Sequence, residues 1–187
     1  MWPCPLTRWP IFLRLRSFCG WTRPGRRPSS GADGCSFASL QARGHGSIAA
    51  RLAYLLADHV YRNNLGVVCG QDTGFKIESD PDTVRAPDVA VVCRARVGLI
   101  PSRGYAAFAP DLVAEIVSPD DRPGEVLTKV GQWIDAGTML VWVIDPSRVE
   151  ARTYRDDGGL TIVSSDGLLD ASPVLPGFTC ALAEVLR

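Results

Sequence analysis

The chain has 187 residues, 46% of them hydrophobic, and its 20 basic and 20 acidic side chains leave a formal net charge of zero. That length supports one domain with a real core, and the balance excludes a strongly basic protein that coats duplexes through charge alone. No apolar run approaches the ~20 residues that span a bilayer, and Ile11-Phe12-Leu13 is too short an apolar stretch for a secretory signal, so no membrane and a cytoplasmic setting are expected.

Charge is uneven along the chain. Residues 1–46 hold seven arginines against one acid, Asp33, together with three of the five tryptophans. Pro, Gly, Arg and Ser fill the gaps, as in Arg23-Pro24-Gly25-Arg26-Arg27, and no helical or strand period persists. Residues 1–44 are therefore expected to be an atypical segment, disordered or translated from a shifted or over-extended start; a basic arm for nucleic acid is the functional alternative. Residues 45–187 are expected to form the domain. The six cysteines, Cys4, Cys19, Cys35, Cys69, Cys93 and Cys180, include no CxxC pair, which argues against a zinc knuckle and for free thiols in a reducing compartment.

Order begins at Ser47, a plausible N-cap. Ile48, Leu52, Leu55, Leu56 and Val60 follow at helical spacing, with Arg51, Asp58 and Arg62 turned outward. Asn63-Asn64-Leu65-Gly66 supplies the stop. Val67–Cys69 and Phe75–Ile77 read as two strands, Ser79–Asp82 as a turn, and Asp88–Cys93 as a third strand, after which Val97–Ile100 continues apolar. Leu112–Val117 is the next strand. Pro123 opens a helix that Gly137 stops, Met139–Ile144 is a strongly apolar strand, Val149–Tyr154 and Leu160–Val163 form a hairpin, and Leu168–Leu169 and a helix over Ala181–Leu186 finish the chain. This order predicts an α/β (α+β) fold with a mixed sheet flanked by helices.

Glu115 sits inside the apolar strand Leu112–Val117, where a carboxylate is costly unless paired, protonated or bound to a cation. Asp88 opens the earlier apolar strand. Alternation puts Asp88, Ala90 and Val92 on one face, and Asp111, Val113, Glu115 and Val117 on one face of the later strand. If those strands are neighbours, Asp88 and Glu115 converge on one Mg²⁺ or Mn²⁺ ion, which can polarise a phosphodiester and activate a water. Lys129, one of two lysines among eighteen arginines, can then face the phosphate. Each residue has a plainer reading beside this one: a strand-start Asp after Pro87, a buried Glu paired with an arginine, and a helix-surface lysine. His45, between two glycines at a helix entry, is read as structural or solvent-exposed and outside the catalytic set. Ser118 and Asp120 are read as caps for the following loop and helix. The cysteines are read as small core residues.

From about His45 to Leu186, three quarters of the chain resembles the Uma2-like family (domain of unknown function 820), a branch of the PD-(D/E)XK nuclease superfamily. The resemblance rests on His45-Gly46, Ala86-Pro87-Asp88-Val89, Pro110-Asp111-Leu112-Val113-Ala114-Glu115-Ile116-Val117-Ser118-Pro119, Lys129, Trp133, Ala136-Gly137 and Val141-Trp142-Val143-Ile144-Asp145-Pro146. It implies a restriction-endonuclease-like fold and Mg²⁺-dependent cleavage of DNA, with Asp88 and Glu115 as metal-binding acids. Val117 stands where the superfamily's usual lysine would be, and Lys129 matches the helix lysine that substitutes for it in this family. The family's Glu-Leu-Ile-Asp-Gly-Glu-like opening motif has no counterpart in residues 1–44, so the alternative is a truncated or inactive remnant that serves as an interaction module. A homodimer is expected because two sites cut two strands most simply.

Overall fold

A computed structural model of the chain describes residues 43–187. The expectations for residues 1–42, and for Cys4, Cys19 and Cys35, lie outside the described residues.

The first helix, α1 (Arg43–Arg62), begins four residues ahead of Ser47. Ser47 is therefore not its cap. Its hydroxyl instead donates to the Gly44 carbonyl one turn back, at 2.9 Å, the back-bonding a helix-interior serine adopts. Ile48, Leu52, Leu56 and Val60 are buried as the spacing predicts. The helix ends in a Schellman pattern: Asn64 takes a positive φ of 53°, and the Leu65 N–H returns to the Val60 carbonyl at 2.9 Å.

Six strands make the central sheet: β1 (Gly66–Gly70), β4 (Val89–Cys93), β5 (Leu112–Ile116), β6 (Leu140–Asp145), β7 (Glu150–Arg155) and β8 (Leu160–Val163), hydrogen-bonded in that order. All neighbours are antiparallel except β5 and β6, which are parallel. A parallel pair needs a crossover, and α2 (Pro123–Asp135) supplies it. Gly137, at φ 98°, takes the left-handed turn that closes α2. Two smaller pairs flank the sheet: β2 (Phe75–Glu78) with β3 (Thr83–Arg85), and β9 (Leu168–Asp170) with β10 (Thr179–Ala181), followed by α3 (Leu182–Leu186).

Strand alternation divides the core into two layers. Val89, Val91, Leu112, Ala114, Ile116, Leu140, Trp142 and Ile144 face α1 and the C-terminal elements. Ala90, Val92, Val113, Val141 and Val143 face α2, where Val130, Trp133 and Phe75 complete the layer. The expected α/β architecture with a mixed sheet and helices is the one found.

Two short strands, β3 and β10, were not expected. Within and before the apolar stretch Val97–Ile100, Arg94–Leu99 forms a short 3₁₀ helix. That turn brings Arg96 back onto the buried Asp111, with Nη1 to Oδ1 at 2.7 Å, and lays its guanidinium 4.5 Å from the centre of the Phe108 ring. Asp111 also accepts the Cys93 N–H at 2.7 Å. Among the described residues no helix is long and apolar enough to cross a membrane.

Candidate active site

The site is assembled by register. Val89 opposes Ala114, Ala90 opposes Val113 and Val91 opposes Leu112. Continuing that antiparallel register by one residue sets Asp88 opposite Glu115. Directly opposed residues have Cβ atoms about 5 Å apart; Glu115 shares the α2 side with Val113, while the Asp88 carboxylate, at the strand end, reaches His45 of α1. β4 itself begins at Val89, one residue later than expected. Asp88 lies just ahead of it, after Pro87, which has no N–H to continue a ladder.

Asp88 stands in for the missing ladder bond. Its Oδ2 accepts the Ile116 N–H at 2.8 Å. The same oxygen lies 3.2 Å from His45 Nε2, and that nitrogen is 2.9 Å from the Ile116 carbonyl oxygen. A carbonyl can only accept, so Nε2 carries a proton. His45 thus pins Asp88 and the end of β5 together. It is buried, at 6% exposure; the structural reading holds and the solvent-exposed one does not. Its contact with an acid of the site was missed, since 71 residues separate it from Ile116 and no periodicity connects them. Asp88 Oδ1 accepts only a longer bond, 3.3 Å, from Gln71 Nε2.

Glu115 is held from the other side. Trp133 Nε1 donates to its Oε1 at 2.9 Å. The partner is an indole on α2, not the arginine that the plainer reading supplied. Burial raises the Glu115 carboxyl above the ordinary glutamate value; the indole bond and the nearby charges of Lys129 and Arg85 oppose that rise, while Asp88 adds to it. Of the groups expected from the sequence, Asp88 and Lys129 thus each act electrostatically on Glu115. Oε2 of Glu115 has no hydrogen-bond partner among the described residues.

Lys129 and Trp133 lie one helical turn apart on α2, with Gln132 beside them, so all three share a face. The capping expected of Ser118 and Asp120 is not found. Asp121 accepts the Ser118 N–H at 2.8 Å, and Arg122 occupies the N-cap without a side-chain bond. The described cysteines are poor nucleophiles: burial raises Cys69, and pushes Cys93 to about 11 and Cys180 to about 12.

A cleft of about 230 Å³ lies next door, lined among others by Val117, Val126, Val143, Arg148, Glu150 and Arg152. Val143 is the in-register neighbour of Glu115 across β5 and β6, so the cleft adjoins the site without containing it. Its arginines are already engaged by Glu150, at 2.8 Å from Arg152 and 3.8 Å from Arg148.

Among the described residues no group of three or more His, Cys, Asp and Glu side chains is arranged to hold a metal ion. The donor set suits Mg²⁺ all the same. That ion is commonly held by one or two carboxylates with water and substrate phosphate completing an octahedron, and Asp88 and Glu115 are two hard-oxygen donors near enough for the charge of Asp88 to act on Glu115.

A crystal structure described as a "putative nuclease belonging to DUF820", from Anabaena variabilis ATCC 29413, superposes with a TM-score of 0.67 at 19% identity, covering 78% of this chain and 81% of that one. At that identity the likeness establishes the fold. No curated protein matches the sequence. The model of the Uma2 family, described as "Putative restriction endonuclease", matches residues 23–183. That span is most of the sequence, and the chain belongs to the Uma2 family.

Proposed function

We propose that the protein is a Mg²⁺-dependent DNA endonuclease that hydrolyses phosphodiester bonds, with Asp88 and Glu115 as metal ligands and Lys129 at the scissile phosphate. The observation that carries this reading is the β4–β5 register, Val89 opposite Ala114, whose continuation by one residue would oppose Asp88 to Glu115, while Glu115 also feels the charge of Lys129 from the crossover helix. The family and the nuclease-like fold support it.

Asp88 and Glu115 would hold the ion, whose chemistry is to polarise the phosphoryl oxygen and acidify the attacking water. The chain's own residues supply the rest. Asp88 is fixed by the Ile116 N–H and His45, so its orientation is set before substrate arrives. Trp133 fixes Glu115 and favours its charged form. Lys129, partly exposed, offers an ammonium to the charge that develops on the phosphoryl oxygens.

The test is plasmid cleavage in Mg²⁺ or Mn²⁺, with calorimetric titration of Mn²⁺. Asp88→Asn and Glu115→Ala are expected to abolish cleavage, and Glu115→Ala to abolish Mn²⁺ binding. Unchanged cleavage by both variants refutes the assignment. A second reading, a non-catalytic interaction module, draws on Val117 standing two residues after Glu115 in place of a lysine. It predicts DNA binding with no metal-dependent cleavage by the wild-type chain. We also propose a homodimer, which sedimentation with and without a short duplex tests.

A further inference from the structure

Arg85, the last residue of β3, was not singled out from the sequence. It lies in a three-residue strand with no alternation to read. In the fold, its Nε donates to Gln132 Oε1 at 2.6 Å, in a partly buried setting. Gln132 sits on α2 directly before Trp133, whose indole holds Glu115, and three residues after Lys129. Arg85 pairs with Phe75 in the hairpin register, and Phe75 packs edge-on against Trp133, with ring centres 6.4 Å apart. The β2–β3 hairpin is therefore seated against α2, and it carries a guanidinium to the same sheet face as Glu115.

No ion pair among the described residues involves Arg85, whereas Arg62, Arg96, Arg148 and Arg152 each have a carboxylate. A partly buried guanidinium is ordinarily paired; the charge of Arg85 acts on Glu115 without a carboxylate in contact with it. One donor is spent on Gln132, which fixes the plane of the group and leaves both Nη nitrogens unbonded. An oriented guanidinium fork matches the non-bridging oxygens of a phosphodiester in a way a lysine cannot. The nearness of its charge to Glu115 agrees with that placement.

We propose that Arg85, held by Gln132, is a second phosphate-gripping cation of the site: it binds the non-bridging oxygens of the DNA backbone at or beside the scissile phosphate, where Lys129 alone would leave the phosphate free to rotate. The assignment rests on the nuclease reading above and adds to it a substrate contact that no metal ligand supplies.

Binding of a short fluorescein-labelled duplex in Ca²⁺ can be followed by anisotropy across about 50–200 mM salt, with cleavage kinetics in Mg²⁺ alongside. Each phosphate contact contributes about 0.9 to the slope of log affinity against log salt. Arg85→Ala is expected to reduce the slope by about that amount, to raise KM and to lower kcat at least tenfold, with Mn²⁺ binding unchanged by calorimetry. Arg85→Lys restores charge without the fork, and is expected to recover the slope while kcat stays at least tenfold low. If Arg85→Ala fails to fold, Arg85→Lys decides the matter through kcat. A wild-type slope with a lowered melting temperature in Arg85→Ala, or wild-type kcat in Arg85→Lys, makes Arg85 only a tether for the hairpin and overturns the proposal. Wild-type protein that neither binds nor cleaves DNA overturns the nuclease reading as well, so the two failures are distinguishable.

Discussion

Trp133→Phe separates packing from chemistry at the site. Trp133 is fully buried, and its indole N–H reaches Glu115 Oε1 at 2.9 Å. Phenylalanine keeps an aromatic ring in the layer shared with Phe75, Val113 and Val130 but removes the donor. A hydrogen bond to a charged group contributes about 1.5–3 kcal/mol. The single variant also loses packing, so the bond is isolated by a double-mutant cycle with Glu115→Leu, read by urea denaturation at neutral pH. A coupling energy of about 1.5–3 kcal/mol is expected. The same substitution has a kinetic signature. Burial already raises the Glu115 carboxyl, and the indole restrains that rise; without it the carboxyl rises further, and the acid limb of the cleavage–pH profile moves to higher pH. Coupling below about 0.5 kcal/mol, or an unmoved acid limb, refutes the idea that Trp133 supports the charged form of Glu115.

Three further outcomes are expected. Because the folded-state value of Glu115 lies above its ordinary value of 4.5, its contribution favours the fold below 4.5 and is lost as pH rises through the raised value. Glu115→Gln should therefore gain stability relative to wild type across that window, which denaturation at a series of pH values without divalent ions measures. Arg96→Ala strips the partner from buried Asp111 and should cost about 3 kcal/mol in urea denaturation, whereas a loss near zero would show that solvent screens the pair. Lys129→Met should lower kcat by about 10²–10³-fold while leaving the unfolding midpoint close to wild type; a KM effect alone would make Lys129 a binding residue only.

The central strands were legible because their chemistry is local. Leu112–Ile116 and Leu140–Asp145 are apolar runs between turn signals, and two-residue alternation alone places Glu115 on the face of Val113. The helix over Pro123–Asp135 announced itself through Pro123 and Gly137. What escaped detection depends on distant partners. His45 is explained only by Asp88 and Ile116, Arg85 only by Gln132, and Arg96 only by Asp111. The 3₁₀ turn at Arg94–Leu99 carries no clear period, and its Arg96 meets Asp111 only in the fold. Trp133 was recognised as an aromatic position on α2, but its indole N–H has a target only when α2 lies across β5. Ser47 was misread for a related reason: local propensity named a cap, and the helix starts four residues earlier.

Keeping an acid beneath a tryptophan and a crossover helix sets durability against turnover. A library of random variants sorted for heat survival would enrich amides and aliphatics at position 115, and its winners would be sturdy, inert scaffolds. If the nuclease assignment proposed above holds, improvement by laboratory evolution would have to select for cut DNA from the first round, with thermal tolerance sought in places remote from β5 and α2.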